Sequence, residues 1–290
     1  MERKQFTTEN EDRQHICVVG AGLAGSLVSL LLTKLGYKVS IFEKRQEVGD
    51  HGDVSGVFGS STSASKRSIN LALSYRGMCA LQEVGALDTV MKHAVRMPCR
   101  VVHTIDAAPS IQPYGNEDQA IWSVSRELIN NVLLDMTLDS NSGIDLNFGY
   151  SFMDYNEEEK ICTFKTHDSI IYQRKFDFII GADGAYSSVR EAMLKKGRVN
   201  FSRSYIQHGY KELTIPPKII NNKPEYALLN HNGLHIWPRK EFMLIAIPNP
   251  DRSFTATLFA PYEGKDGFNS IQANNEKQVL EYFTKYFPDA

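Results

Sequence analysis

The chain has 290 residues, 42% of them hydrophobic and 23% charged, with a formal net charge of −2 and a pI near 6.5. That mix suits a globular protein of about two domains, or one large one, with ample material for a core. The near-neutral balance excludes a basic footprint for nucleic acid or for a membrane surface.

The N-terminal stretch MERKQFTTENEDRQH is polar and mixed in charge. It lacks an apolar core of the secretory type, so no signal peptide is expected. The longest apolar run, SLVSLLLTKLGYKV, is broken by Thr33, Lys34 and Gly36 and is too short to span a bilayer. Cys17, Cys79, Cys99 and Cys162 are far apart without a CxxC pair. Buried thiols are expected rather than disulfides, which suits a reducing compartment.

The predicted elements begin with strand, helix and strand over 16–43. ICVVG is a short apolar run, Leu23, Leu27, Leu30 and Leu31 recur at helical spacing, and KVSIFE is a second strand. Residues 46–66 are rich in Gly and Ser without periodicity and read as a loop. INLAL reads as a strand, YRGMCALQEVGAL as a helix leading into a second short one, and CRVVHTI as a strand. SRELINNVLLDMTLD is an amphipathic helix with Leu128, Val132, Leu133 and Met136 on one face and Ser125 as its cap. IDLNFGY, KICTFKT and IIYQRKF suggest strands including a hairpin. DFIIGADG and a helix at 188–196 follow. Beyond about residue 200, YKELTI, LHIWPR, FMLIAIP and FTATLFAP read as antiparallel strands, and NNEKQVLEYFTKYF as a final helix. The layout is a parallel α/β domain plus a β-rich domain.

VVGAGLAGS sets Gly20, Gly22 and Gly25 in G-x-G-x-x-G spacing between a strand and a helix. The first glycine makes the tight turn, the second admits a pyrophosphate to the backbone, and the third lets helix and strand pack. Free N–H groups at the helix start favour the phosphates. Glu43 ends the second strand 23 residues beyond Gly20, where an acid bonds a ribose hydroxyl. The glutamate argues against NADP in this slot, and the motif leaves NAD and FAD both open. Lys44 and Arg45 either contact adenosine and its phosphates or form a solvated turn. His231 and His235 have i, i+4 spacing, but Asn232 and Gly233 between them favour a turn, so no metal site is expected.

A second strand-turn-helix, DFIIGADGAYSSVR, needs its own explanation. Without further context Asp183 reads as a helix cap. The stretch GADGAYSSVR also resembles the DG motif of the FAD-dependent aromatic hydroxylases, with Asp183, Gly184, Ser187, Ser188 and Arg190 at matching positions. In that family the segment lies near the pyrophosphate and also serves the reducing nicotinamide cofactor. RSINLALSYRG, MPCRVVH with PYGNEDQAIWSVSRELIN, YIQHGYKELTIPP, LHIWPR and YFPDA narrow the resemblance to kynurenine 3-monooxygenases, from about residue 15 to the last residue. The fold so implied is a Rossmann-like FAD-binding domain of the aromatic-hydroxylase type with an antiparallel β-sheet substrate domain, cut short at the C-terminus.

The resemblance implies FAD as cofactor and NADPH as co-substrate. The substrates are L-kynurenine and O2, and one oxygen atom reaches the ring through a C4a-hydroperoxyflavin. No protein nucleophile or other catalytic side chain is implied. Arg100 and Tyr114 fall where the family grips the amino-acid carboxylate, and a guanidinium fork with a phenol is a sound clamp. Leu234, Met243, Ile245, Ile247 and Phe259 match the apolar pocket for the ring, and positions 243, 245 and 247 share a sheet face. Arg126, Ala72 and Phe152 match flavin contacts. Ala24, Phe42, Glu43, Lys44, Arg45, Gly184 and Ser188 complete the implied cofactor set. The implied domains are a tail over 1–15, the FAD-binding domain over 16–98 and 115–198, and the substrate domain over 99–114 and 199–290. The family pattern continues past this chain into a GD-containing segment, a loop over the flavin, further carboxylate ligands and a membrane helix. The 290 residues alone are therefore expected to bind FAD weakly and turn over poorly. The family location is the outer mitochondrial membrane, facing the cytosol; a chain without the anchor is expected in the cytoplasm. Two alternatives are a non-catalytic dinucleotide-binding fragment and another FAD-dependent hydroxylase of a carboxylate-bearing aromatic.

Overall fold

The computed structural model describes residues 13–46, 70–271 and 275–290. The expected loop at 46–66, apart from its first residue, and Arg67 to Ile69 of the RSINLALSYRG segment lie outside the described residues. The chain divides into two compact units. Among the described residues, the first comprises 13–46, 80–86 and 129–201, and the second comprises 70–79, 87–128, 202–271 and 275–290.

The first unit is built on a four-stranded parallel sheet. Strand His15–Val19 lies between Lys38–Glu43 on one side and Phe178–Gly181 on the other, and Ile144–Phe148 extends the sheet beyond Lys38–Glu43. Burial on both faces explains the continuous apolar runs, since alternation is needed only where one face meets water. On one face Ile16, Val18, Val39 and Ile41 pack with Leu134, Val28 and Leu32 of the helices Arg126–Leu138 and Leu23–Lys34. On the other, Cys17, Val19 and Phe42 pack against an antiparallel meander of Tyr150–Asn156, Ile161–Thr166 and Ile171–Lys175. Phe42 stacks on Phe164 with ring centroids 4.0 Å apart.

The 125–139 segment is a helix, Arg126–Leu138, and the Ser125 hydroxyl accepts from the Leu128 N–H at 3.3 Å. Its buried face is not the expected one. Ile129, Leu133, Leu134 and Thr137 are buried, whereas Leu128, Val132 and Met136 are half-buried. The apolar stripe is broad enough that spacing alone does not settle which edge faces the sheet.

The second unit carries a six-stranded sheet in the order His208–Ile215, Phe254–Pro261, Phe242–Pro248, Gly233–Arg239, Cys99–Val102, Ser110–Pro113. All neighbours are antiparallel except Gly233–Arg239 with Cys99–Val102. One face buries Trp237, Leu244, Ala246, Phe254, Ala256 and Leu258 with Tyr282 and Phe287 from the C-terminal segment. Helix Glu276–Tyr286 supplies part of this cover, and the Asn275 side chain caps it by accepting from the Gln278 N–H at 3.2 Å. A separate antiparallel sheet of Asn70–Leu73, Ile121–Ser125 and Val95–Met97 completes the picture, together with a short hairpin over 218–225. By compactness, 70–79, 87–98 and 115–128 therefore group with the six-stranded sheet. The sequence-based scheme assigned them to the cofactor domain by role, and that assignment is a proposal about ligands.

Candidate functional site

In the first unit the glycine turn follows strand His15–Val19 at the carboxyl end of the sheet. The chain leaves that strand toward one neighbour, while strand Phe178–Gly181 lies on the other side. Such a switch point leaves a crevice at the strand ends. Each glycine has a distinct steric reason. Gly20 has φ +103°, and a Cβ there would lie 2.7 Å from the Ala182 carbonyl oxygen. A Cβ on Gly25 would lie 1.8 Å from the Gly20 carbonyl oxygen. Gly22 has nothing within 4 Å of its Cβ position and an ordinary φ of −80°. Packing thus requires Gly20 and Gly25, whereas Gly22 faces open space.

Helix Leu23–Lys34 begins at Gly22 with no side-chain cap and no acid in its first turn. Its N-terminus is thus left with uncapped N–H groups and the positive end of the helix dipole. The second turn is different. The Asp183 carboxylate accepts from the Ser187 hydroxyl, from the Ser188 N–H at 2.6 Å and from the Val189 N–H at 3.3 Å. The Ser187 hydroxyl accepts from the Arg190 N–H at 3.0 Å. Helix Ser188–Lys196 therefore carries its own anion. Asp183 and Ser188 are joined to each other rather than left open, and Gly184 is exposed with φ +86°. The cap reading of Asp183 is what the geometry displays. The turn's backbone at Ala182 and Asp183 also forms the wall against which Gly20 packs.

Glu43 is 6% exposed. Its Oε2 accepts from the Ala21 N–H at 2.9 Å and its Oε1 from the Arg45 N–H at 3.0 Å. The carboxylate thus stands beside the glycine turn with both oxygens already braced, each retaining a lone pair for a hydroxyl donor. Ala24, Lys44 and Arg45 are exposed. Phe42 has no exposed surface and Phe152 is 7% exposed, both inside the meander core. Packing claims their rings, and Phe42 serves the turn through its carbonyl, which accepts from the Gly20 N–H at 2.8 Å.

In the second unit, register brings the expected substrate residues together. Directly paired strand residues share a face. Arg100 pairs with Leu234 and Gln112, Ile236 with Ile245, Met243 with Phe259, Ile245 with Thr257, and Ile247 with Thr255. Arg100, Leu234, Met243, Ile245, Ile247 and Phe259 therefore all lie on one face, opposite the core. Ile245, Ile247 and Phe259 line a pocket of about 310 Å³ together with Asn70, Tyr210, Thr255 and Thr257. Those last four were missed in the sequence. The period-two pattern of FTATLFAP held the signal for the threonines, but Asn70 and Tyr210 come from distant segments.

Arg100 is exposed and lies over the Tyr114 ring, with its guanidinium carbon 5.8 Å from the centroid. The Tyr114 hydroxyl is buried with no hydrogen-bond partner among the described residues. Burial pushes the Tyr114 phenol up, against the opposing pull of the Arg100 charge, so it stays a protonated donor. An unpaired buried donor beside an exposed guanidinium is a fit for a ligand carboxylate. Ala72 is exposed on strand Asn70–Leu73, and Arg126 is exposed at the first position of its helix. His235 lies on strand Gly233–Arg239 and bonds His103 at 2.9 Å, while His231 stacks on Tyr226. No cluster of metal-ligating residues occurs among the described residues. No described helix is long and apolar enough to cross a membrane.

The uncapped helix start, the open Gly22 position and the braced Glu43 fit a dinucleotide. Comparison with known proteins agrees. The model of the FAD binding domain family matches residues 13–209. Kynurenine 3-monooxygenase of Christiangramia forsetii is 37% identical over 96% of this chain and 58% of its own length. The Sus scrofa enzyme is 38% identical over 96% of this chain and 55% of its own, and that of Anopheles gambiae 39% over 99% and 56%. The chain thus spans a little over half the length of these relatives. Among solved structures, 2-methyl-3-hydroxypyridine-5-carboxylic acid oxygenase shares the fold with a TM-score of 0.67 at 18% identity, covering 96% of this chain and 65% of its own. Pseudomonas aeruginosa PqsL gives 0.67 at 15% identity, covering 94% and 67%. The chain belongs to the FAD binding domain family and has the fold of the flavin-dependent aromatic hydroxylases, and in sequence it is similar to kynurenine 3-monooxygenases.

Proposed function

We propose that this chain is the flavin- and substrate-binding portion of a kynurenine 3-monooxygenase, which converts L-kynurenine to 3-hydroxykynurenine with NADPH and O2. The observation that carries the reading is the shared sheet face. It sets an exposed arginine beside an unpaired buried phenol and continues into the apolar row Leu234, Met243, Ile245, Ile247 and Phe259. An amino acid with an aromatic ring matches that sequence of charge followed by grease. Arg100 and Tyr114 hold the carboxylate, and the apolar side chains hold the ring and exclude water. The Gly20–Gly25 turn and its helix receive the FAD pyrophosphate, and Glu43 receives the ribose. Ala72, Arg126, Lys44 and Arg45 are further proposed flavin contacts. Bound FAD supplies the redox chemistry, taking reducing equivalents from NADPH and activating O2. The protein's part is to position the ring and keep the site dry.

The test is a visible absorbance titration of the purified chain with FAD and then L-kynurenine, followed by product analysis after NADPH addition. Flavin bands that shift with kynurenine support the reading. FAD binding with no response to kynurenine removes the substrate assignment.

A further inference from the structure

The pocket in the second unit has a polar corner that the carboxylate clamp and apolar wall leave unexplained. It consists of Asn70 and Thr255, backed by a chain of side chains that ends at Asp251. Hydrogen-bond polarity fixes the orientation of every group in that chain.

Asp251 Oδ1 is a carboxylate oxygen and accepts from the Ser253 hydroxyl at 2.6 Å and from the Ser253 N–H at 3.0 Å. The Ser253 proton is thereby committed, so Ser253 Oγ can only accept from its other neighbour. That neighbour is Asn249, whose Nδ2 donates to it at 2.8 Å. Asn249 must then turn its Oδ1 the other way, where it accepts from Asn70 Nδ2 and from the Thr255 hydroxyl at 3.2 Å. The Asn249 backbone is also held, because its carbonyl accepts from the Tyr226 hydroxyl at 2.8 Å. Asn70 Nδ2 donates further to Ser123 Oγ at 3.2 Å. Both amide protons of Asn70 and the hydroxyl proton of Thr255 are therefore used within the protein. Asn70 Oδ1 accepts from no donor among the described residues. Asn70 Oδ1 and Thr255 Oγ1, both on residues that line the pocket, are acceptors with nothing left to donate.

We propose that this corner selects a ligand that donates N–H from its aromatic ring: a primary aryl amine, whose two N–H groups match the two acceptors. The inference rests on the substrate reading above and deepens it, making Asn70 and Thr255 specificity-determining residues and Asn249, Ser253 and Asp251 their positioning relay. The corner disfavours a ring bearing an acceptor at that place, because two lone pairs would face a third. The carboxylate clamp is independent of it.

The experiment is calorimetric binding to the full chain with FAD present, using two ligands. One is L-kynurenine, and the other is its analogue with hydrogen in place of the ring amine. The unmodified chain binds the amine about five- to tenfold more tightly, the yield of a neutral hydrogen bond or a pair of weak ones. Asn70→Ala reduces that gap to less than about twofold. Ser253→Ala lies outside the pocket lining and frees Asn249 to reverse its amide, so it narrows the gap as well. Circular dichroism melting verifies that each variant is folded. A gap that persists in both folded variants overturns the inference and leaves the substrate reading standing. Equal affinity of the unmodified chain for the two ligands does the same. Binding of FAD with neither ligand overturns the substrate reading, and this inference with it.

Discussion

Replacing Gly25 and Gly22 separately by alanine distinguishes the glycine that packing needs from the one a ligand needs. At Gly25 the new Cβ lies 1.8 Å from the Gly20 carbonyl oxygen, and real Cβ contacts essentially never fall under 3.0 Å, so an opening of at least 1.2 Å is required. The backbone has no room to give. The Gly20 N–H is bonded to the Phe42 carbonyl at 2.8 Å, and Gly20 already abuts the Ala182 backbone. Overpacking of this kind costs about 1–3 kcal/mol, and a forced backbone shift belongs at the upper end. The helix propensity of alanine returns roughly 1 kcal/mol. Gly25→Ala is therefore expected to lose about 2 kcal/mol of stability, with FAD affinity falling as the turn distorts. Gly22 has an ordinary φ and open space, so Gly22→Ala changes stability by less than about 1 kcal/mol. On the proposed placement of the cofactor, its methyl group meets the pyrophosphate, and FAD affinity falls by about tenfold or more. Urea unfolding gives the stabilities, and quenching of flavin fluorescence gives the affinities. A Gly25→Ala protein as stable as the unmodified chain would refute the packing argument. A Gly22→Ala protein that binds FAD normally would remove the cradle from this turn.

Three further outcomes are expected. Arg100→Ala weakens kynurenine binding by about ten- to a hundredfold, the scale of a charge-assisted pair, with FAD content unchanged; unaltered affinity in calorimetry sinks the clamp. Asp183→Ala removes the acceptor for the Ser188 and Val189 N–H groups and costs about 1–2 kcal/mol in urea unfolding, with the loss concentrated in the first unit. The third concerns acid. His235 is fully buried, and burial, with the neighbouring His103 second, lowers it from 6.5 to about 4. The unfolded chain thus binds a proton that the folded chain refuses. Stability from this group is complete above pH 6.5 and is lost as pH falls toward 4, by about 3 kcal/mol in total. Denaturant midpoints measured across that window should fall with acid, and His235→Gln should flatten the slope; an unchanged slope rejects the assignment.

The parallel strands, the glycine turn and the helix at 188–196 were legible in the sequence because each is a local signal. Apolar runs, a glycine triplet and a cap need few neighbours to be read. The same holds for the row Met243, Ile245 and Ile247, since alternation by two places residues on one face without further information. Resemblance to a family supplied Arg100 and Tyr114, which no local pattern would have picked. Tertiary structure decided the remainder. Phe42 is core because a meander packs on its sheet face, and Phe152, on a strand of that meander, faces the same core. Helix Arg126–Leu138 turned Ile129 rather than Leu128 inward because its broad apolar stripe left the orientation to its neighbours. Asp183 was recruited by its own helix. The acceptor corner at Asn70 required residues 123, 249, 251, 253 and 255 to meet a strand near position 70. A sequence records periodicity and caps, since these act between near neighbours. The direction of a hydrogen-bond chain depends on which distant groups meet, and only the folded chain determines that.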